Sequence, residues 1–224
     1  MSRTLVFDVN ETLLDLSALD APFAEAFGDP GVKRLWFGQL LRSALVTTIL
    51  ERTLDFAQLG HEALGMVAAR RGITLTQEQT QAILNTMRTL PPHPEVPQSL
   101  DRLAHAGLRM VALTNSPQEA AEAKLRHAGL IDRFDHVMSV DGVQRFKPAP
   151  EVYRMVAERL GVKPAQLRMV AAHDWDIAGA MRVGLAGAFV ARPGMVLGIH
   201  GPKPDVVGAD LSEVASQIIA LETA

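Results

Sequence analysis

The sequence predicts an α/β fold, and two observations lead to that prediction. First, residues 4–7 form a short apolar run that is typical of a buried strand, and apolar residues at helical spacing follow over residues 15–90. Second, strand-like and helix-like segments alternate from about residue 109 to residue 191, which indicates a parallel sheet with helices on both faces. The predicted fold is a Rossmann-like parallel sheet with a helical cap domain inserted after its first strand.

The first predicted strand ends at a polar cluster that begins with Asp8. The residues that follow it fit the helical cap, because their apolar positions recur at the spacing of helix faces. One helix face is expected to carry Trp36, Leu40, Leu41, Ala44 and Leu45, and further helical patterns cover residues 59–70 and 77–87.

Four prolines, at positions 91, 92, 94 and 97, separate the cap from the rest of the chain. Each ring removes a hydrogen-bond donor and restricts the preceding residue, so this segment is expected to be a helix-breaking connector at a domain boundary. The predicted core domain comprises residues 1–14 and 91–224, and the cap domain comprises residues 15–90. Beyond the connector, strands are predicted at residues 109–113, 136–140, 168–172 and 188–191, and helices at 117–128, 151–160 and 177–183.

The composition limits the class of ligand. The chain has 22 basic and 25 acidic side chains, so it builds no strong positive field for nucleic acid or for an anionic membrane. It contains no cysteine, which excludes disulfides and thiolate metal sites. No apolar run near the N-terminus is long enough for a signal peptide or a membrane span. The sequence therefore predicts a cytoplasmic protein that acts on a small molecule, without nucleic-acid or membrane partners.

Reactive side chains follow the predicted strands in four clusters, at residues 8–12, 114–116, 147–148 and 173–176. In an open parallel sheet, ligands bind outside the carboxyl ends of the strands. A single aspartate after a strand is usually a turn or capping residue. The order of all four clusters is more specific than any one of them.

Four motifs carry these clusters: Phe-Asp-x-x-x-Thr-Leu, Leu-Thr-Asn, Phe-Lys-Pro and Trp-Asp-x-x-Gly-Ala. Together with the position and size of the cap, they make the whole chain resemble the haloacid dehalogenase superfamily, and in particular its type II, L-2-haloacid dehalogenase-like branch. The resemblance implies a hydrolase in which Asp8 attacks a small halogenated carboxylic acid, an (S)-2-haloacid, and carries an ester that water converts to the 2-hydroxy acid. It implies no cofactor and no metal, and it suggests a homodimer through the cap.

The physical chemistry of the motif residues agrees with this resemblance. Asp8 would be a weak nucleophile in water, so it needs desolvation and a neighbouring cation, which Lys147 supplies. The hydroxyls of Thr12 and Thr114 and the amide of Asn115 are expected to orient Asp8 or the substrate carboxylate. Capping and turn formation are the alternative roles for all three.

Four aromatic side chains are expected to line an apolar substrate pocket, namely Trp36, Phe37, Tyr153 and Trp175. The Tyr153 hydroxyl is expected to be directed to the nucleophile site, and Tyr153 has the stronger functional claim because it follows the Lys-Pro motif at the spacing that the family resemblance implies. Core packing is the alternative role for these rings.

A magnesium-dependent phosphatase of the same superfamily is the alternative function. Phosphatases that resemble this chain place an acid two residues after the nucleophile to protonate the leaving alkoxide, and here that residue is Asn10. A departing halide needs no proton. The expected metal-binding aspartate is replaced by Ala172, although Asp174 could compensate. Carbon–halogen cleavage is favoured, and a non-enzymatic interaction module is disfavoured because the nucleophile, the lysine and the last acid all remain.

The usual substrate clamp of the resembled branch is absent from its expected place. Phe37 follows Trp36 where family members carry an arginine that grips the substrate carboxylate or halide. Arg42 is one candidate to replace this arginine. It lies five residues after Phe37 on the same predicted helix, so its side chain is expected to point in a different direction. Backbone N–H groups after Asp8 are the other candidate.

Glu11 and His173 are predicted to form a water-activating dyad. The family pattern has glycine and asparagine at these positions, and the two loops that carry them are expected to converge beside Asp8. A histidine oriented by a carboxylate can take a proton from water, and the acid fixes the tautomer and stabilises the imidazolium. Asp176 would then hold Lys147, or remain the water-activating base that the resemblance implies. A glutamate that closes a helix end and a histidine that packs at a strand end are the alternative.

Other polar residues are assigned no chemistry. Asp174 is expected to be the N-cap of the helix that begins near Ile177. The remaining histidines show no metal-ligand spacing and are interpreted as surface or packing residues. They lie at positions 61, 93, 105, 127, 136 and 200.

Overall fold

A computed structural model describes residues 2–199 and 201–223 of the chain. Met1 and Ala224, the outer ends of the predicted core domain, lie outside the described residues, as does His200. No helix in the two described ranges is long and apolar enough to cross a membrane.

Six parallel strands form one sheet in the described part of the chain. The strands are β1 Thr4–Phe7, β2 Met110–Thr114, β3 His136–Ser139, β4 Leu167–Ala171, β5 Ala186–Val190 and β6 Val206–Gly208. Their order is β3-β2-β1-β4-β5-β6, so β1 lies between β2 and β4. Phe7 pairs with Ala112 on one side and with Val170 on the other. The carboxyl ends of these three strands therefore meet at one edge, and the predicted α/β fold is confirmed.

Helices fill the segments between the strands. They are α1 Asp20–Phe27, α2 Val32–Ile49, α3 Phe56–Arg70, α4 Gln77–Arg88, α5 Val96–His105, α6 Gln118–His127, α7 Pro150–Leu160, α8 Asp174–Val183 and α9 Leu211–Glu222. Helices α1 to α4, called the inserted helices below, come between β1 and β2, as the predicted helical insertion requires. The division into a core domain and a cap domain at residues 14/15 and 90/91 stays a prediction.

Local capping explains where two of the inserted helices begin. Asp55 precedes α3, and its carboxylate accepts hydrogen bonds from the N–H groups of Ala57 and Gln58. Thr76 and Gln79 form a capping box at the start of α4. Such caps satisfy N–H groups that have no partner within the helix.

The expected apolar face of α2 is wrong at one position. Trp36, Leu40 and Ala44 are buried, whereas Leu45 is 39% exposed. One residue along a helix turns the side chain by about 100°, so Leu45 leaves the face that Ala44 buries.

The proline-rich connector is shorter than predicted, because α5 begins at Val96 and takes in Pro97. Proline fits the first turn of a helix, where its missing N–H would be unpaired in any case. The sequence reading also assigned neither β6 nor α9. A three-residue strand such as β6 carries too short a pattern to distinguish it from a loop.

Candidate active site

Asp8 stands at the carboxyl end of the central strand β1. Its backbone N–H donates to the Val170 carbonyl at 3.0 Å, which continues the sheet pairing and fixes the start of the loop. The Thr12 hydroxyl donates to Asp8 Oδ2 at 2.6 Å and accepts from the Ala172 N–H at 2.9 Å. Thr12 therefore ties the Asp8 carboxylate to the end of β4, which agrees with its predicted orienting role.

Lys147 connects two buried carboxylates. Its ammonium Nζ donates to Asp8 Oδ1 at 2.8 Å and to Asp176 Oδ2 at 2.6 Å. The Lys147 backbone N–H donates to Asn115 Oδ1 at 2.9 Å. All four residues are buried, so the lysine is held in place from both its backbone and its side chain.

The Tyr153 side chain contacts this cluster through Asp176. Its hydroxyl donates to Asp176 Oδ1 at 2.6 Å, and its side chain is fully buried. The hydroxyl is thus directed to the cluster that contains the nucleophile, where its partner is Asp176 and Lys147 links Asp176 to Asp8. Gly179 makes the arrangement sterically feasible, since a Cβ there would lie 2.5 Å from Pro148 Cβ and 2.8 Å from the Tyr153 hydroxyl.

The electrostatics of the cluster favour an ionised Asp8. Burial alone would raise the pKa of Asp8, but the charges of Lys147 and His173 and the hydrogen bonds from Lys147 and Thr12 outweigh it, so the pKa lies below its usual value. Burial also opposes the charge of Lys147, yet Asp176 and Asp8 raise the pKa of that lysine above its ordinary value. Burial, followed by the charge of Asp8, raises the pKa of Asp176.

Glu11 and His173 converge beside Asp8, as predicted. His173 Nε2 lies 3.4 Å from Glu11 Oε2 and 3.9 Å from Asp8 Oδ2. The same ring nitrogen faces both carboxylates, so Glu11 does not fix the tautomer through the opposite nitrogen, and that part of the expectation is wrong. Its remaining role is to stabilise a positive charge on the imidazole.

Two further properties mark Glu11 as unusual. It adopts a left-handed backbone conformation with φ of 62°, which costs a side-chain-bearing residue roughly 1 kcal/mol or more. Burial, partly offset by the charge of His173 and reinforced by that of Asp8, raises its pKa. A strained, partly buried acid next to a histidine agrees better with a chemical role than with helix closure, the alternative that the sequence left open.

The imidazole of His173 stacks on two aromatic rings. Its centroid lies 4.9 Å from that of Trp175 and 6.1 Å from that of Phe37, with interplanar angles of 20° and 25°. Phe37 thus supports His173, a contact that sequence reasoning missed. The three departures from the family pattern, at residues 11, 37 and 173, meet at one place.

The other predicted residues lie at the edges of the site. The Thr114 hydroxyl accepts from the Ser116 N–H at 3.1 Å, which fits the turn-forming alternative. The prediction that Asp174 caps a helix near Ile177 is wrong, because α8 begins at Asp174 itself and His173 occupies the N-cap position. In the described ranges, no three His, Asp or Glu side chains form a group that could hold a metal ion. The absence of a cofactor stays a prediction.

Comparison with known proteins identifies the family. A family model for haloacid dehalogenase-like hydrolases matches residues 3–184. This chain belongs to that family. The predicted superfamily membership is thereby confirmed.

Relatives and solved structures of similar proteins carry dehalogenase names. The (S)-2-haloacid dehalogenase of Pseudomonas sp. (strain YL) is 31% identical over 205 residues, which cover 91% of this chain and 88% of the relative. The structure of L-2-haloacid dehalogenase from Xanthobacter autotrophicus is similar with a TM-score of 0.90 and 27% identity, covering 97% of this chain and 98% of that one. A second structure of that enzyme, with chloropropionic acid covalently bound, has a TM-score of 0.89 and 28% identity over the same shares.

Two cavities of this hydrolase are lined by residues that contact Asp8 or His173. One, of about 220 Å³, is lined by Lys147 and Asn115 together with Trp175, Arg42 and apolar side chains of α2. The other, of about 310 Å³, is a polar cleft; it is lined by Glu11, Asp15, Leu16, Ser17, Lys33, Arg34, Phe37, His93, Arg192, Pro193 and Met195. The first cavity contacts the cation that holds Asp8, and the second contacts the acid beside His173.

Sequence reasoning missed two buried cations of the hydrolase. Arg192 donates to the Thr12 carbonyl at 2.8 Å and pairs with Glu95. It directly follows a predicted strand, so the strand-end rule that found Asp8 could have found it. Lys124 lies within α6 and is buried, and its position three residues after Ala121 and next to Leu125, both buried, is the signal that could have found it.

Proposed function

We propose that this hydrolase converts small (S)-2-haloacids to 2-hydroxy acids through an ester on Asp8. The observation that carries the proposal is an ionised Asp8 carboxylate, fixed by Lys147 and Thr12, with His173 Nε2 lying 3.9 Å away. The names of its relatives, (S)-2-haloacid dehalogenases, support the same reaction.

The first step forms the ester. One Asp8 carboxylate oxygen bonds to C2 of the substrate while the carbon–halogen bond breaks, so that the halide leaves with the bonding electrons and C2 is inverted. Lys147 and Thr12 hold the carboxylate in one orientation, which lowers the entropic part of the barrier. The halide is a weak base and needs no acid, which agrees with an asparagine at position 10.

The second step hydrolyses the ester. Water attacks the Asp8 carboxyl carbon and gives a proton to His173 Nε2, and the resulting imidazolium faces the Glu11 carboxylate. The bond between the carboxyl carbon and the ester oxygen then breaks, and the hydroxy acid takes up a proton. One water oxygen stays in Asp8, one water proton ends on the product hydroxyl, and the other is released.

Ester formation itself prepares Glu11 for this step. The negative charge of Asp8 is one of the causes that raise the pKa of Glu11. Esterification removes that charge, so Glu11 ionises more readily once the water is needed. In the intermediate, Glu11 is the carboxylate that faces the imidazolium, because the negative charge of Asp8 beside the same ring nitrogen is gone.

The two cavities suggest separate places for substrate and water. The substrate occupies the 220 Å³ cavity next to Lys147, and Arg42 on its wall supplies the cation for the substrate carboxylate. Backbone N–H groups after Asp8 are the remaining alternative for this role. Water reaches Glu11 from the polar 310 Å³ cleft. Phe37, whose ring stacks on His173, lines this cleft.

The phosphatase alternative is disfavoured because Asn10 stands where a phosphatase needs an acid. Its amide oxygen lies 3.4 Å from Lys124 Nζ, from which it accepts a weak hydrogen bond, and an amide has no acidic proton to donate. The test is halide release from (S)-2-chloropropionate and monochloroacetate in EDTA by wild type and Asp8→Asn. Release that the substitution abolishes supports the dehalogenase. Phosphate release that EDTA inhibits, with no halide release, would overturn it.

A homodimer through the inserted helices is part of the proposal. Apolar side chains of α2 and the residue after it are exposed in the single chain, namely Leu35, Val46, Ile49 and Leu50. Such a face usually marks an interface. Light scattering should give twice the chain mass for wild type and the chain mass for Val46→Lys/Ile49→Lys; a monomeric wild type would contradict this. The cytoplasmic location, and the absence of nucleic-acid and membrane partners, stay predictions.

A further inference from the structure

We propose that this hydrolase has a second ligand site, between the inserted helices and α6, where Lys124 binds the carboxylate of a short-chain aliphatic acid. Asp8 does not line this site, and the site does not depend on the proposed reaction. It goes beyond dehalogenation because its ligand need not carry a halogen.

Lys124 is a buried amine without an acidic partner. Its side chain is 6% exposed. Nζ donates only weakly, to Asn10 Oδ1 at 3.4 Å and to Ser116 Oγ at 3.3 Å. In the part of the chain that the structure describes, no carboxylate lies within 4.0 Å of this nitrogen. An ammonium has three N–H donors, so one remains available for a ligand.

A partly open cavity of about 100 Å³ adjoins this amine. Its walls come from α2, α3 and α4 on one side and from the start of α6 on the other. The apolar lining includes Trp36, Leu40, Phe56, Leu84, Met87 and Ala120, and the polar lining includes Arg88, Ser116 and Lys124. An apolar chamber with cations on one wall matches a small anion that has an alkyl tail.

A hydrogen bond holds one aromatic side chain of the cavity wall in place. The indole N–H of Trp36 donates to the Gly60 carbonyl at 2.8 Å, so the ring is held between α2 and α3. A preformed wall lowers the entropic cost of binding. The cavity volume restricts the ligand to a few heavy atoms, which excludes nucleotides and peptides.

The electrostatics require an anion rather than a neutral ligand. Burial, and then the charge of Arg88 on α4, lower the pKa of Lys124 to about 8. Near neutral pH the amine therefore still binds a proton, but it has no counter-charge in a desolvated place. A carboxylate would satisfy the third N–H, neutralise the ammonium and weaken its repulsion with Arg88.

Butyrate is a suitable probe, because it carries no halogen and cannot be consumed. The chain has two tryptophans, so Trp175→Phe leaves Trp36, on the cavity wall, as the sole indole fluorophore. In that background, butyrate should change the Trp36 emission saturably. Affinity should weaken roughly tenfold or more in Lys124→Met, and it should be retained in Lys203→Met, which removes an exposed lysine.

A second variant separates loss of the site from loss of folding. Ala120→Leu keeps Lys124 and fills the cavity that Ala120 lines, so it should also abolish the fluorescence change. Butyrate affinity should fall as the pH rises above about 8, because the amine loses its proton. An unchanged affinity in folded Lys124→Met, or no Trp36 response to butyrate, would overturn the proposal whether or not halide release is observed.

Discussion

Two buried lysines of this hydrolase differ in their partners and therefore in their charge. Lys147 and Lys124 are 2% and 6% exposed. Lys147 is paired with Asp8 and Asp176, and these charges raise its pKa despite burial. Lys124 has only neutral partners, and burial lowers its pKa to about 8. Burial alone does not decide the charge of a lysine, because the carboxylates around it can reverse the effect.

Because of this difference, the two lysines have different roles. Lys147 is a permanent cation that fixes the nucleophile, so its removal leaves two facing carboxylates without compensation. Lys124 is a cation that lacks an anion, so its removal relieves a cost. Substitutions at the two positions should therefore change the free energy of unfolding in opposite directions.

The largest effect is expected from the pair Lys147→Met and Lys124→Met. Lys147→Met should destabilise the fold by about 3–5 kcal/mol, because uncompensated buried charges remain. The pKa of Asp8 should rise, and ester formation should slow by about 10³-fold or more. Lys124→Met should leave the free energy of unfolding at pH 7 unchanged or increase it. Urea denaturation and halide release measure these effects, and equal destabilisation by both variants would refute the comparison.

The next largest effect concerns the water step. His173→Ala should slow hydrolysis of the Asp8 ester by about 10²–10⁴-fold, the usual contribution of a general base, while ester formation continues. Mass spectrometry after mixing with (S)-2-chloropropionate should then detect a 1-carboxyethyl ester, formed when Asp8 displaces the halide from C2, on the peptide that contains Asp8. His105→Ala, which changes an exposed histidine, is the matched control. A His173→Ala variant that turns over without accumulating ester would contradict the dyad.

A smaller effect concerns pH and stability. The pKa of Lys124 falls from the ordinary 10.5 to about 8 on folding, so between these values the unfolded chain binds more protons than the folded one. The free energy of unfolding should therefore rise with pH across this window, by about 3 kcal/mol relative to Lys124→Met. Urea titrations of both proteins at pH 7.5 and 10 measure the difference. If the free energy of unfolding changed with pH equally in wild type and in Lys124→Met, Lys124 would not be a buried amine without an acidic partner.

The smallest effect concerns a third cation, Arg42, which is exposed but lines the cavity beside Lys147. Arg42→Ala should raise KM for (S)-2-chloropropionate about tenfold, the value of one charge-assisted hydrogen bond, with little change in kcat. Steady-state halide release measures both constants. A larger KM effect from Arg34→Ala would instead assign the carboxylate to the polar cleft that Arg34 lines.

The sequence was sufficient to predict the paired lysine but not the unpaired one. Asp8, Lys147 and Asp176 follow strands or stand in ordered motifs, and the topology of a parallel sheet brings such residues together. Lys124 lies in α6 between Ala123 and Leu125, and it shares the buried face of that helix with Ala121 and Leu125. The helical spacing therefore offered a sign of its burial, but the cavity beside it depends on α2, α3 and α4, which come from a segment more than thirty residues earlier.

Other differences between prediction and structure arise from side-chain direction. Sequence order placed Tyr153 and Phe37 near the nucleophile, but only packing decides that they contact Asp176 and His173. Likewise, the convergence of Glu11 and His173 followed from the topology, whereas the ring nitrogen that faces Glu11 did not. Strand ends predict which residues meet, and rotamers decide how they meet.

The central claim is that Asp8 carries the ester and that water attacks its carboxyl carbon. The most direct test is a single turnover of excess enzyme with (S)-2-chloropropionate in H₂¹⁸O, followed by mass analysis of the Asp8 peptide and of the lactate produced. We expect ¹⁸O in Asp8 and ordinary oxygen in the lactate hydroxyl. Label in the lactate hydroxyl and none in Asp8 would show that water attacks the substrate directly and that no Asp8 ester forms.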